Sequence, residues 1–258
     1  MKKKFFSILG IILVSMVFIS CNRIGRGDMK ENEEGTFNET ISISETKKIN
    51  IDVAVDDIDI SAVKGNELVV KRTCKGNVFG KLSLKKDGDT INLIEEKVKY
   101  KLGSINCENK IEIGIPENYA GDLVLKNDVG DYQVEELKLN DVNIDSGVGN
   151  LEIEKAEYNT LKVSQGTGDA KIKLTSCGDI SIEGGTGDLE LDISNVEGDL
   201  IYTGGVGDVT ISIPNNSPVS FNTESGVGDC SINVPTSGEN KYTFEIETGV
   251  GDINVIGK

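Results

Sequence analysis

The chain contains no histidine and no tryptophan. The missing imidazole removes the usual general base and the commonest neutral nitrogen ligand for a metal. No serine or cysteine stands beside a visible base partner, so no catalytic residue is named. No cysteines form a C-x-x-C pair, which leaves a thiolate metal site without support. Proline is scarce at 4 residues, whereas glycine is abundant at 30. Basic residues are scarce in one half only. Residues 121–258 carry 8 Lys plus Arg against 25 Asp plus Glu, a net charge of −17. Such a body repels nucleic acid, attracts cations, and favours solubility.

What is present begins with Lys2, Lys3 and Lys4, followed by a nearly unbroken apolar run from Phe5 to Ile19, then Ser20 and Cys21. Basic, apolar, small is the order of a secretory signal peptide. An uncleaved anchor is the competing reading, although a stable span needs roughly 20 residues. Phe18-Ile19-Ser20-Cys21 resembles the bacterial lipoprotein signal, with Phe18 where Leu is preferred. The resemblance implies cleavage of residues 1–20, lipidation of Cys21, and attachment to the extracytoplasmic face of a membrane. Residues 21–39 are polar without an apolar period and are expected to form a tether. They include Arg26-Gly27-Asp28, a tripeptide too short to carry an adhesion argument.

The remaining cysteines are Cys74, Cys107, Cys177 and Cys230. Export permits disulfides, and four cysteines allow three pairings. Cys230 stands in a mostly apolar column, where a buried free thiol is equally expected.

The second half repeats. Gly-Val/Thr-Gly-Asp/Asn ends at Asn150, Asp169, Asp188, Asp208, Asp229 and Asp252, with a weaker first copy ending at Asp131. Successive ends are 19, 19, 19, 20, 21 and 23 residues apart. A period near 20 signals stacked structural units. After each copy, apolar residues alternate with polar ones: Leu189, Glu190, Leu191 in the fourth copy, and Cys230, Ser231, Ile232 in the sixth. A second alternating strand lies between copies, as at Leu200 and Tyr202, Val219 and Phe221, and Phe244 and Ile246. The period of two marks half-buried strands. Two strands per repeat predict an all-β protein, a parallel β-solenoid of about seven two-strand coils over residues 121–258. At the strand spacing of about 4.8 Å it would be about 34 Å long. An antiparallel meander also fits ten residues per strand. The solenoid is preferred because like residues recur every second strand.

Glycine suits the sharp corners of such a coil because it accepts positive φ. The terminal Asp suits backbone capping, as in an Asx-turn. A cation site is the second reading. Asp169, Asp188, Asp208, Asp229 and Asp252 would stack about 4.8 Å apart, each neighbouring pair costing about 0.9 kcal/mol at the dielectric of water. Calcium or a basic peptide would relieve that repulsion. The nine-residue calcium repeat does not fit, because Gly184-Gly185-Thr186-Gly187-Asp188 places its Asp one residue early.

Residues 40–120 are strand-rich but irregular and are expected to cap the stack. Lys81, Lys85, Lys86, Lys97, Lys99 and Lys101 form a basic stretch that suits either an anionic surface or the protection of a sheet edge.

Ile111-Glu112-Ile113-Gly114-Ile115-Pro116, then Gly121-Asp122-Leu123 and the serial Gly-x-Gly-Asp strands, resemble the bacterial putative-adhesin β-strand-repeat family. The resemblance spans residues 40 to 256. It implies an envelope-associated protein with an interaction or structural surface, adhesin-like or related to envelope stress, and it transfers no site residues. The competing class is a β-helix enzyme acting on acidic polysaccharides, which would need convergent carboxylates and a basic residue in a cleft.

Overall fold

Alternating apolar residues and corner glycines organise the whole described chain. The structure is a computed structural model that describes residues 33–76, 80–96 and 107–258. The expected signal peptide, Cys21, Arg26-Gly27-Asp28, and Lys97, Lys99 and Lys101 lie outside these residues. Among the described residues every regular element is a strand.

The first strands are β1 (Glu33–Ser42), β2 (Lys48–Val55), β3 (Asp57–Val63), β4 (Glu67–Gly76), β5 (Leu82–Asp87), β6 (Thr90–Glu95) and β7 (Cys107–Pro116). The repeats supply β8 (Asp122–Val129), β9 (Tyr132–Glu135), β10 (Lys138–Val148), β11 (Leu151–Thr167), β12 (Ala170–Thr186) and β13 (Leu189–Ile193). They end with β14 (Leu200–Val206), β15 (Val209–Ile213), β16 (Val219–Val227), β17 (Cys230–Asn233), β18 (Tyr242–Val250) and β19 (Ile253–Gly257). β1 begins inside the span read from sequence as tether.

Two parallel ladders run the length of the molecule. One stacks β6, β2, β8, β10, the second halves of β11 and β12, β14, β18 and β16. The other stacks β7, β3, β9, the first halves of β11 and β12, β13, β15, β19 and β17. The long β11 and β12 belong to both ladders and join them into one 19-stranded sheet. The result is β-solenoid-like. Among the described residues antiparallel pairs occur only at the N-terminal end, where β4 covers β7, β1 covers β4, and β5 covers β6.

β2 and β3 extend both ladders directly. Val55 pairs with Val129 and Ile58 with Tyr132, so the region expected as a cap contributes a rung of its own. The described part of the basic stretch is at the edge. β5 carries Lys85 and Lys86, and the Lys86 ammonium donates to the Ser44 carbonyl.

The rungs do not follow chain order throughout. β18–β19, the seventh copy, is inserted between the fifth copy, β14–β15, and the sixth, β16–β17. The sequence supplies a reason. The four inward positions of the inserted rung are Phe244, Ile246, Ile253 and Val255, all buried. The register places Phe221, Thr223, Cys230 and Ile232 in the same columns of the sixth rung. The more apolar set takes the enclosed place and the more polar set takes the end. This corrects three expectations. Cys230 is exposed and outside any disulfide. Ile232 is 42 % exposed. In β16 it is Phe221, not Val219, that aligns with Phe244, and the two rings meet edge to face at 5.9 Å.

Elsewhere the inward columns are as patterned. Leu151, Ile153, Ile172, Leu189, Leu191, Val209 and Ile211 are buried in one ladder, and Leu123, Val142, Leu161 and Ile182 in the other. Cys177 is buried and outside any disulfide, and burial pushes its thiol up to about 12.

Candidate functional site

The Gly-x-Gly-Asp corners align into a row along one edge of the stack. The second glycine of each copy is left-handed, with Gly168 at φ +139°. A Cβ on Gly168 would sit 2.0 Å from the carbonyl oxygen of Gly149 one rung away. Glycine is therefore required twice at this corner, by its own φ and by the approach of the neighbouring rung.

The terminal Asp caps the next rung, not its own turn. The Oδ1 of Asp57 accepts the backbone N–H of Asp131 at 3.1 Å, and that of Asp131 accepts from Asn150 at 2.7 Å. The row continues through Asn150 to Asp169, Asp169 to Asp188, and Asp188 to Asp208, at 2.9–3.0 Å. It then passes from Asp208 to Asp252 and from Asp252 to Asp229, both at 2.9 Å. Where both neighbours are Asp, the bond places a partial positive charge between successive carboxylates, which offsets part of their repulsion, and Asn150 interrupts the row of charge. The residues expected to bind cations thus share one exposed row, in which Asp169, Asp188, Asp208 and Asp252 each have one carboxylate oxygen engaged and Asp229 ends the row as a donor. Among the described residues no group of three or more Cys, Asp or Glu side chains is arranged to hold a metal ion.

A second Asp row lies at the start of the other strand. The N–H of Asp199 donates to Asp179 at 3.0 Å, and that of Thr243 to Asp199 at 2.8 Å. Inside the glycine corner runs a polar column that sequence reasoning missed. Asn127 donates to the Asp56 carbonyl at 2.6 Å, Gln165 to the Gly149 carbonyl at 2.7 Å, and Ser225 to the Gly251 carbonyl at 2.9 Å. These side chains satisfy carbonyls that the sharp corners turn inward. Beside the carboxylates, the middle residues form an exposed β-branched row that includes Val129, Val148, Val206, Val250 and Val227.

The N-terminal end holds a different constellation. Arg72 on β4 is 2 % exposed and meets Asp56 through Nε at 2.7 Å and Nη2 at 2.8 Å. Nη2 also donates to Glu95 at 2.7 Å, and Nη1 to the Gly80 carbonyl at 2.9 Å. Glu95 accepts the N–H groups of Gly80 at 2.6 Å and Ala54 at 2.9 Å. Burial raises the Asp56 carboxyl to about 7, against the pull of Arg72 and with the push of Glu95. An open cleft of about 770 Å³ adjoins this triad, lined in part by Lys71, Lys75, Lys110, Asp57, Glu108 and Glu112. Lys71 pairs with Glu112 at 2.7 Å and holds that carboxyl below its ordinary range.

Among solved structures, a putative adhesin from Bacteroides fragilis NCTC 9343 is 18 % identical, with TM-score 0.50 over 86 % of this chain and 97 % of that one. A putative cell adhesion protein from Clostridium sporogenes ATCC 15579 is 19 % identical, with TM-score 0.45 over 88 % of this chain and all of that one. A putative lipid binding protein from Parabacteroides distasonis ATCC 8503 is 12 % identical, with TM-score 0.40 over 86 % and 95 %. No curated protein matches. The Toastrack DUF4097 family model matches residues 46–256. The chain belongs to that Toastrack DUF4097 family.

Proposed function

We propose that this chain is a cell-envelope lipoprotein, cut before Cys21 and lipid-anchored there, whose solenoid acts by surface interaction and not by chemistry. In this reading the seven Gly-x-Gly-Asp copies are seven coils of one solenoid, and residues 40–120 form its cap. The observation that carries the reading is the corner row, in which every copy but the one ending in Asn150 presents a carboxylate beside the same β-branched position. Such a row offers many equivalent weak contacts and suits an extended cationic ligand at the envelope. The adhesin descriptions of the solved relatives agree with a surface role.

Two measurements test it. Cys21→Ser should release the protein from membranes or leave its signal uncut, and an unchanged membrane-bound product would remove the lipoprotein reading. Titration calorimetry with a Lys/Arg-rich peptide should give binding that salt weakens steeply. Heat that is absent at low salt would remove the electrostatic surface.

An enzyme acting on acidic polysaccharide is the second reading, favoured by the cleft of about 770 Å³ with lysines and carboxylates on its walls. Against it, Glu112 is held ionised by Lys71, and Asp56 is buried with both oxygens turned to Arg72, out of reach of a substrate in the cleft. Chain cleavage in a polyuronate incubated with the protein would establish this reading.

A further inference from the structure

The two ends of the stack are built differently. At the N-terminal end the parallel ladders stop under antiparallel strands, and β5 carries Lys85 and Lys86. At the other end, among the described residues, β16 and β17 pair on one side only, with β18 and β19. Their free edges lack the lysines that guard the other end, because residues 174–240 contain no Lys or Arg. Prolines 214, 218 and 235 stand outside both strands.

The exposure there is what the interior of the stack would show if it were cut. In one inward column Val209 and Ile253 are fully buried, and Cys230 is exposed. In the next, Ile211 and Val255 are fully buried, and Ile232 is 42 % exposed. The rung-to-rung contact that repeats through the chain simply stops. A surface complementary to this rung is another rung of the same period with apolar residues in the same columns. The other end of the stack does not offer one, because antiparallel strands cover it.

We propose that the free face of β16–β17 docks on the same face of a second copy of this chain, forming a closed two-fold pair. A two-fold axis across the stack runs the facing edge strands antiparallel, so β-pairing continues from one molecule into the next. Cys230 and Ile232 become enclosed as their counterparts in inner rungs are. The face suits this contact electrostatically. Between residues 214 and 240 the acids are only Glu224, Asp229 and Glu239, whereas the two bodies repel through their acidic flanks. Added salt therefore strengthens the pair, opposite to its effect on a cationic ligand. This pairing goes beyond the surface role proposed above and does not depend on the lipid anchor.

The test is sedimentation of the detergent-solubilised full chain across protein concentration and salt. The expected result is a monomer–dimer equilibrium that shifts to dimer as salt rises. Ile232→Lys, at an already exposed position, should weaken self-association about tenfold without lowering the melting temperature. Because the pair encloses Cys230, its alkylation by a small maleimide, read against the Cys230→Ser chain, should slow as the dimer fills. A monomer at every concentration and salt overturns the proposal. So does a dimer indifferent to Ile232→Lys, or growth beyond two copies.

Discussion

Arg72 faces two carboxylates with one positive charge, 2 % exposed and beyond the reach of bulk water. Its replacement by Met strands Asp56 and Glu95, and the expected loss is about 3–5 kcal/mol in urea unfolding. Asp56 adds a pH dependence. Its carboxyl rises from 3.8 unfolded to about 7 folded, chiefly through burial. The folded state therefore holds the proton more tightly, and this group lowers stability as pH rises from about 4 to about 7. Asp56→Asn should flatten that part of the stability–pH profile, and an unchanged profile would mean that Asp56 does not titrate there. A second residue-scale contrast concerns glycine. Gly168→Ala meets both the +139° φ and the Gly149 oxygen, whereas Gly88, at φ +59°, has open space around its Cβ position. Gly88→Ala is expected to cost about 1 kcal/mol and Gly168→Ala several times more. Equal losses would show that φ alone fixes the glycine.

At the scale of the strand, one column separates local pattern from global order. Leu191 is fully buried and Ile232, two rungs further along the chain, is 42 % exposed at the equivalent position. Leu191→Ala should cost about 2–5 kcal/mol, and Ile232→Ala well under half of that. Comparable losses would place β17 inside the stack. The same column shows what the sequence could reveal. Period-two alternation determines which face of a strand turns inward, and it located Leu189, Leu191 and Ile246 correctly because every rung obeys the same pleat. Alternation says nothing about which rung lies next to which, so the end position of Cys230 and Ile232 was illegible. The Asp row was legible as a row, while its bonding between rungs required the stack. The buried triad left one trace. Arg72 follows Leu68 and Val70, and Glu95 follows Ile91 and Leu93, each a charge in apolar phase. Such a residue needs a buried counter-charge, although sequence does not say which.

The order of the rungs is a property of the whole molecule. A chain that stacked its repeats as they were synthesised would set β16–β17 on β14–β15. Here the last rung takes that place. Lys258 closes it, donating its N–H to the Ile213 carbonyl at 3.0 Å and accepting from Asn215 at 3.1 Å. Residues 214–241 must therefore remain off the stack, or leave it, until the C-terminal strands have docked. Non-local closure of this kind slows folding. The order has a direct structural test, because Thr203, Glu247 and Glu224 are exposed and share one row in the order β14, β18, β16. Neighbouring rungs bring Cα atoms to about 4.8 Å, within disulfide reach, while alternate rungs leave them about twice as far apart. In the Cys230→Ser background, the pair Thr203→Cys with Glu247→Cys should oxidise readily to an intramolecular bond. The pair Thr203→Cys with Glu224→Cys should not. The reverse outcome would mean that the repeats stack in chain order and that β16–β17 is an inner rung, with no free face of the kind inferred above.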